Sequence, residues 1–444
     1  MGATAELARF AADFRCEDLP PEVLRESKRC ILNYLGVSLG AARHPAVGIL
    51  ADAILEMGGQ EQATILGWRT RTSATNAALV NGAMSHLLDF DDTHLPTVIH
   101  PTGPVLSAAL PLAEWKRLDG RHLMTALALG MEIELRIGMA VHPSHYDAGW
   151  HITGTVGTFG AAVASAWLLG LDATRFAYAL GLAGTQAAGL REMFGSMAKS
   201  LHVGKAASNG MLAALLAAKG FTASTEVLEG RRGFCHVLAG NYDLSRPLDG
   251  LGSRYIMLEN GFKPYACGVV THPTIDGIRQ LARAHHLIPT EVAEIETRVH
   301  PLVLELTGKR SPRTGLEGKF SIYFCAAIAM IEGNAREAQF TDENVVRPDV
   351  TAMMDRVRVV VDPSLREGQS MVTIRTVDGR ELNQRVEAAQ GTPGNPVPDD
   401  ELQEKFMELA QSTIPRDRAA RLVEATLHLE SLVDLRHLVE LAAA

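Results

Sequence analysis

The chain has 444 residues, enough for a large buried core and for two or three ordinary domains. Its apolar fraction of 47% and charged fraction of 21% are those of a globular protein. A net charge of −9 with a pI near 6.0 excludes a general nucleic-acid binder, but leaves open an anionic ligand held by a local cluster of positive groups.

The early chain reads as helical. Val47, Leu50, Ala51 and Ile54 fall on one helical face, with Gly58-Gly59 as a stop. Ser73 is the expected N-cap of a helix carrying Ala77, Val80, Met84 and Leu87. A longer helix is expected from His122 to Val141, with Glu132 and Arg136 paired at i, i+4. Three Ala-rich helices are predicted near 155–170, 173–189 and 204–219, whose small residues let axes approach closely. The most apolar stretch, Ala161 to Leu171, is too short to span a bilayer, so no membrane partner is expected. No charged-then-apolar leader opens the chain.

The pattern changes after about residue 260. Ile295, Thr297 and Val299 alternate with polar neighbours, as do Val357, Val359 and Val361, then Val372, Ile374 and Thr376. Asp378-Gly379 signals a hairpin turn, and Phe320 to Met330 reads as a helix between strands. Gly391 to Pro398 is a breaker-rich linker, after which Asp399 to Phe406 and Ala419 to Leu441 return to helix. The expected fold is mainly α: a helical domain over 1–260, completed by 398–444, with an inserted α+β lid over 261–397.

Cys16, Cys30, Cys235, Cys267 and Cys325 form no C-x-x-C pair and are odd in number. A disulfide framework, zinc knuckle or iron–sulfur cluster is therefore unsupported, and a reduced cytoplasmic compartment is expected.

Five segments could carry chemistry. Asp89-Phe90-Asp91-Asp92-Thr93, then His100-Pro101-Thr102-Gly103-Pro104, places three carboxylates at the C-terminal end of a helix. Mutual repulsion and the helix dipole disfavour them there. A cation, nearby basic side chains or a raised pKa must offset that, unless the run is merely a solvated turn or a set of caps. His142 to His151 brings histidines and Tyr146 together on a glycine-punctuated loop, which suits acid–base work although loop histidines also serve packing. Gly189 to Lys205 is a glycine-rich loop entering a helix, with Lys199 and His202 as cationic candidates, and fits neither a Walker A nor a dinucleotide fingerprint. Phe262 to Pro273 lies at the domain junction, where ligand clefts are common, and Lys319 to Tyr323 lies inside the second domain. Metal-ligand spacing of the H-E-x-x-H kind is missing from all five, so no metal is expected.

Together these segments resemble the MmgE/PrpD family, above all through D-F-D-D-T followed by H-P-T-G and through F-G-S-M-A-K-S-L-H-V-G-K. The resemblance covers essentially the whole chain. It implies a large helical domain with an α+β lid, an active site between them, a homodimer, no metal or organic cofactor, and a small polycarboxylate substrate. Position by position it implies catalytic roles for Asp89, His100, Tyr146, His151 and Lys199. It implies substrate contacts for Thr93, Lys263 and Tyr323, and His202 joins these as a cation.

Two departures bear on the reaction. Asp89 and His100 are eleven positions apart (100 − 89), as in the family's epimerase and one more than in its decarboxylase. Gly268 stands where the decarboxylase carries a second histidine. The leading expectation is a hydro-lyase on a hydroxylated di- or tricarboxylate such as a 2-methylcitrate-like acid. The alternatives are an epimerase, a cis-aconitate-type decarboxylase, or a silent polycarboxylate binder on the same fold.

Overall fold

The computed structural model describes residues 2–444. Apolar periodicity produces helices that bury one face and, at the centre of the body, every face. The helices that position the site are α1 (Pro21–Ala41), α2 (Ala74–Leu87), α3 (Thr102–Lys116), α4 (Gly120–Val141), α5 (Ile152–Leu168) and α6 (Ala198–Ala218). α6 lies along both α5 and α2, and α5 packs in turn on α3 and α4. Ser73 caps α2 as expected, accepting from the Asn76 amide at 3.3 Å. The Glu132–Arg136 pair on α4 is buried at 2.7 Å, and the rest of that guanidinium donates to the carbonyls of Pro247, Asp249, Gly250 and Arg254. Among the described residues no helix is long and apolar enough to cross a membrane.

A two-residue ladder, β1 (Asp92–Thr93) with β2 (Gly261–Phe262), ties the loop after α2 to the start of the second half of the chain. Beyond it stand α7 (His272–His285) and the strands β3 (Val292–Val299), β4 (Val357–Val361), β5 (Ser370–Thr376) and β6 (Glu381–Val386). Their order is β4-β3-β5-β6, with β3 and β4 parallel and the other pairs antiparallel. α7 covers the β5–β6 side, and α8 (Ile322–Glu332) packs on α7 and β4. After the linker, α9 (Asp399–Ala410) packs on α1, so the chain's end rests on the helical body.

Three helix ends differ from the sequence pattern. The helix expected over 173–189 stops at Gly184, and the left-handed backbone at Gly189 and Gly195 carries a loop instead. α6 begins at Ala198 rather than 204, because Gly204 sits inside the helix where it crosses α2. The last expected helix breaks into Arg416–Leu427 and Arg436–Ala442. Between them Leu432 O accepts from Gly120 N and Leu435 N donates to Leu118 O, so tertiary hydrogen bonds replace helical ones.

The α2–α6 crossing depends on Gly204, since a Cβ there would lie 2.1 Å from Leu79 O and 3.0 Å from Ala83 N, both backbone atoms. Gly204→Ala is therefore expected to force the helices apart and to cost about 1–3 kcal/mol. Urea unfolding measures this, and an alanine variant as stable as wild type would show that the crossing has slack.

Candidate functional site

The site is built on the loop that leaves α2. Asp89 adopts a left-handed conformation, φ 50°, and ends the helix one residue after its C-cap. The three carbonyls exposed there each accept from a lysine. Leu88 O takes Lys319 Nζ at 2.5 Å, Asp89 O takes Lys263 Nζ at 3.0 Å, and Phe90 O takes Lys405 Nζ at 2.6 Å. Cations at a helix C-terminus satisfy its orphan carbonyls and its dipole together. The lysines come from the turn before α8, the segment after β2, and α9. Lys405 also donates to Asn33 Oδ1 and Lys263 O, both at 2.8 Å, which fastens α1, the loop and the junction to one point.

The three neighbouring aspartates are offset in different ways. Asp89 is 3% exposed and shares its carboxylate between Lys199 Nζ at 2.5 Å and Lys263 Nζ at 3.2 Å. Burial opposes its ionisation, but the two ammonium groups hold it well below the usual carboxylate range. Burial likewise opposes ionisation of Asp91, which His100 and His86 hold low, at 3.2 Å to His100 Nδ1 and 2.6 Å to His86 Nδ1. Asp92 meets only neutral donors, Thr102 Oγ1 and Asn260 Nδ2 at 2.6 Å each, and burial beside Asp91 pushes its pKa up.

Asp89, Thr93, His100, Tyr146, His151, Lys199 and Lys263 all line one cavity. Thr93 Oγ1 lies 3.2 Å from His100 Nδ1. The His86 ring stands against those of His100 and His151, at 4.5 and 5.7 Å between centroids. Burial lowers the pKa of Lys199, with Asp89 opposing that shift. The Tyr146 phenol, raised by burial, stays protonated, and the Arg191 guanidinium lies 4.0 Å over its ring.

Two of the expected residues stand elsewhere. Tyr323 does not line the cavity: it sits in the first turn of α8 with Arg310 5.0 Å over its ring, and Phe320 of the preceding turn takes the lining position. His202 is also outside the lining, one hydrogen bond behind His151, with 2.9 Å between their Nδ1 atoms. Lys199 and Lys263 lie close together rather than apart. Both ammonium groups converge on Asp89, because a buried carboxylate needs them more than empty space does. His145 binds Leu238 O and Thr155 Oγ1, which is packing work.

The cavity is nearly closed. Its free volume of about 50 Å³ is far below the roughly 300 Å³ at which small-molecule pockets begin. Phe194 and Phe320, 6.1 Å between ring centroids, line both this space and an outer cleft of about 670 Å³. Arg191 and Glu305 join the helical body to the α+β part beside that cleft, at 2.5 Å.

His86, Asp89, Asp91 and His100 bring one donor atom each to within 4.8 Å of one another, a set that no local spacing in the sequence shows. Each carboxylate in it is already matched, Asp89 by two ammonium groups and Asp91 by two imidazoles. We read the group as a network of ion pairs and hydrogen bonds, in which His86 serves Asp91 as a neutral donor. His86 and Lys405 are parts of the site that sequence reasoning missed, and Lys319, which opens the fifth segment, is given no role by the sequence. His86 falls on an apolar helix face, and Lys405 on an ordinary amphipathic helix, so neither carries a local signal.

Residues 5–247 match the model of the MmgE/PrpD N-terminal domain, and residues 265–431 match that of the MmgE/PrpD C-terminal domain. The chain is 28% identical to a cis-aconitate decarboxylase of Aspergillus terreus, over 99% of this chain and 96% of that one. It is 27% identical to the cis-aconitate decarboxylase of Homo sapiens, covering 94% and 89% of the two chains. A 2-methylcitrate dehydratase of Cupriavidus necator is 24% identical, over 81% of this chain and 79% of its own.

The buried histidines generate a pH dependence. Burial pushes His86 and His94 down to about 3 and His145 down to about 4, and places His151 well below its ordinary value. In the unfolded chain each would take up a proton near pH 6.5. Between these values the unfolded state binds more protons, so stability is lost as pH falls from about 6.5 toward 4. The expected slope is up to about 1.4 kcal/mol per pH unit for each histidine. Urea unfolding at a series of pH values reads it, and constant stability from pH 7 to pH 5 would contradict the assignment.

Proposed function

This chain belongs to the MmgE/PrpD family, and from that premise we propose that it is a cofactor-independent lyase that moves a proton on the carbon beside a carboxylate of a small di- or tricarboxylic acid. The observation that carries the proposal is the meeting of two buried ammonium groups, Lys199 and Lys263, with two cavity-lining imidazoles, His100 and His151. Proton abstraction next to a carboxylate develops enediolate-like charge, which cations in a water-poor cavity stabilise. Asp89 holds the two lysines ready in the free protein, and a substrate carboxylate takes its place as partner or joins it. His100, oriented by Asp91 and Thr93, and His151 supply the acid and the base. The protonated Tyr146 donates a hydrogen bond.

The leading reaction is elimination of hydroxide from a hydroxylated acid of the 2-methylcitrate type. It is supported by the likeness to a 2-methylcitrate dehydratase and by Gly268, which lines the cavity without a side chain. Decarboxylation of a cis-aconitate-like acid is the second reading, favoured by the near-complete coverage of the decarboxylase relatives. In either case residues 1–260 with 398–444 form the body and 261–397 the lid, and parting at the Phe194–Phe320 seam admits the acid. The five unpaired cysteines support a cytoplasmic setting. A homodimer, as the family resemblance implies, belongs to the same reading.

A panel of hydroxylated and unsaturated polycarboxylates, followed by product NMR in deuterated water, tests the reading. Elimination is the expected outcome with a 2-methylcitrate-like acid, carbon dioxide loss would establish the second reading, and exchange alone would indicate an epimerase. A panel that yields only ligand-induced thermal shifts would make the protein a binder.

Lys199→Ala or Lys263→Ala removes a charge-assisted contact worth roughly 1.5–3 kcal/mol. The expected loss is about tenfold or more in kcat/KM. Arginine is not expected to rescue, since a planar fork does not replace a point ammonium. Folded alanine variants with wild-type kcat/KM would place the anion site elsewhere.

A further inference from the structure

While the seam is shut over its substrate, a cavity that moves protons must exchange them with solvent through the protein. Free space of about 50 Å³ behind two phenylalanine rings offers no continuous body of water to do this. One pair of side chains leads outward. His151 is 2% exposed and lines the cavity, and its Nδ1 lies 2.9 Å from Nδ1 of His202 on α6. His202 is only half-buried and lies outside the cavity lining.

The packing around the pair is built for that contact. A Cβ on Gly154 would meet His202 Cβ at 2.9 Å, and one on Gly189 would meet His202 Cγ at 3.2 Å and His151 Cβ at 3.5 Å. Two positions without side chains thus make the slot in which the imidazoles touch. The His151 amide is fixed as well, donating to Gly189 O at 3.0 Å.

Building on the lyase reading, we propose that His151 and His202 form a two-imidazole proton conduit between the cavity and solvent, with His202 as a relay rather than a substrate contact. With Nδ1 of each ring committed to the other, Nε2 of His151 is left for the cavity and Nε2 of His202 for the outside. When His151 Nε2 takes a proton from the substrate carbon, its Nδ1 passes one to His202 Nδ1, and His202 Nε2 releases one to water. The carbon–hydrogen electron pair stays on the substrate, one proton enters the chain and one leaves, and both rings end neutral in the opposite tautomer. Running backward, the same steps deliver a solvent proton to carbon, as decarboxylation requires. In either direction the starting tautomers return when the seam opens for product release, as Nε2 of one ring gives a proton to water, the Nδ1 proton crosses back and Nε2 of the other ring takes one up. Burial, with the Lys199 charge beside them, lowers the pKa of both rings, so the pair passes a proton on instead of storing it.

The test compares His202→Ala, which leaves an imidazole-sized space against Gly154 and Gly189, with His202→Phe, which fills it. The substrate is whichever acid of the panel the wild type turns over. His202→Ala is expected to lower kcat on the order of 10- to 100-fold with little change in KM, and added imidazole to restore it in a concentration-dependent, saturable way. His202→Phe should be equally slow and not rescued. Without substrate, the ¹⁵N imidazole signals of His151 should shift in both folded variants, because its Nδ1 has lost its partner. Undiminished kcat in the alanine variant overturns the conduit. So does a loss that imidazole does not relieve in a folded protein, equal rescue of the phenylalanine variant, or unmoved His151 signals. A wild type that turns over no acid of the panel removes the lyase reading and the conduit with it. That outcome is distinct from turnover without rescue, which removes the conduit alone.

Discussion

The Asp89 carboxylate, out of water and divided between Lys199 and Lys263, sets the terms for everything around it. A buried charge with a missing partner costs several kcal/mol, so neither lysine can wander once the chain has folded. Lys199 stands in the first turn of α6, and α6 approaches α2 closely because Gly204 lets backbone meet backbone. Lys263 follows β2, whose pairing with β1 brings the second half of the chain against the loop. One short loop thereby gathers the helical body, the junction and, through Lys319 and Lys405, the turn before α8 and the returning helix α9.

Three carboxylates within four positions would repel one another in water, and the fold gives each a separate environment. Two ammonium groups keep Asp89 ionised, hydrogen bonds from the His100 and His86 imidazoles hold Asp91 low, and Asp92 is satisfied by a hydroxyl and an amide while burial raises its pKa. Burial works against ionisation in all three cases, so the sign of each net shift is decided by the identity of the neighbours. The difference has functional weight. The carboxylate between lysines keeps two cations together at the cavity wall, whereas the one clamped to His100 keeps an imidazole in a fixed orientation.

The same enclosure that strengthens these interactions restricts access. Aromatic rings from the body and from the α+β part meet at Phe194 and Phe320, and both also lie about 5 Å from the Lys199 ammonium. Outside them, Arg191 and Glu305 make an ion pair with one partner in each part. Glu305 is largely exposed, whereas Arg191 is mostly covered and also donates to Tyr146 O at 2.9 Å, so the pair ties the seam to the cavity wall. The loop after α2 thus holds its charges in a preorganised arrangement beneath a seam of side chains from both parts of the chain.

Periodicity and capping are local properties, and they were legible in the amino-acid order. Ser73 caps α2, Glu132 and Arg136 pair one turn apart on α4, and alternating valines and isoleucines form β3, β4 and β5. The D-F-D-D-T run declared its own difficulty, since unshielded like charges at a helix end require a remedy. The remedy itself was not legible. Lys405 reaches Phe90 O across 315 positions and Lys319 reaches Leu88 O across 231, and neither lysine's own segment shows which carbonyl it will meet. His86 sits on an apolar face, and only the turn after α2 brings Asp91 back to it. Tyr323 and Phe320 are close in sequence, yet the turn entering α8 decides which of them meets the cavity. Local order determined the elements and the residue types that need partners. The tertiary structure chose the partners, because a buried charge is neutralised by whatever group the packing of distant segments delivers within about 3 Å.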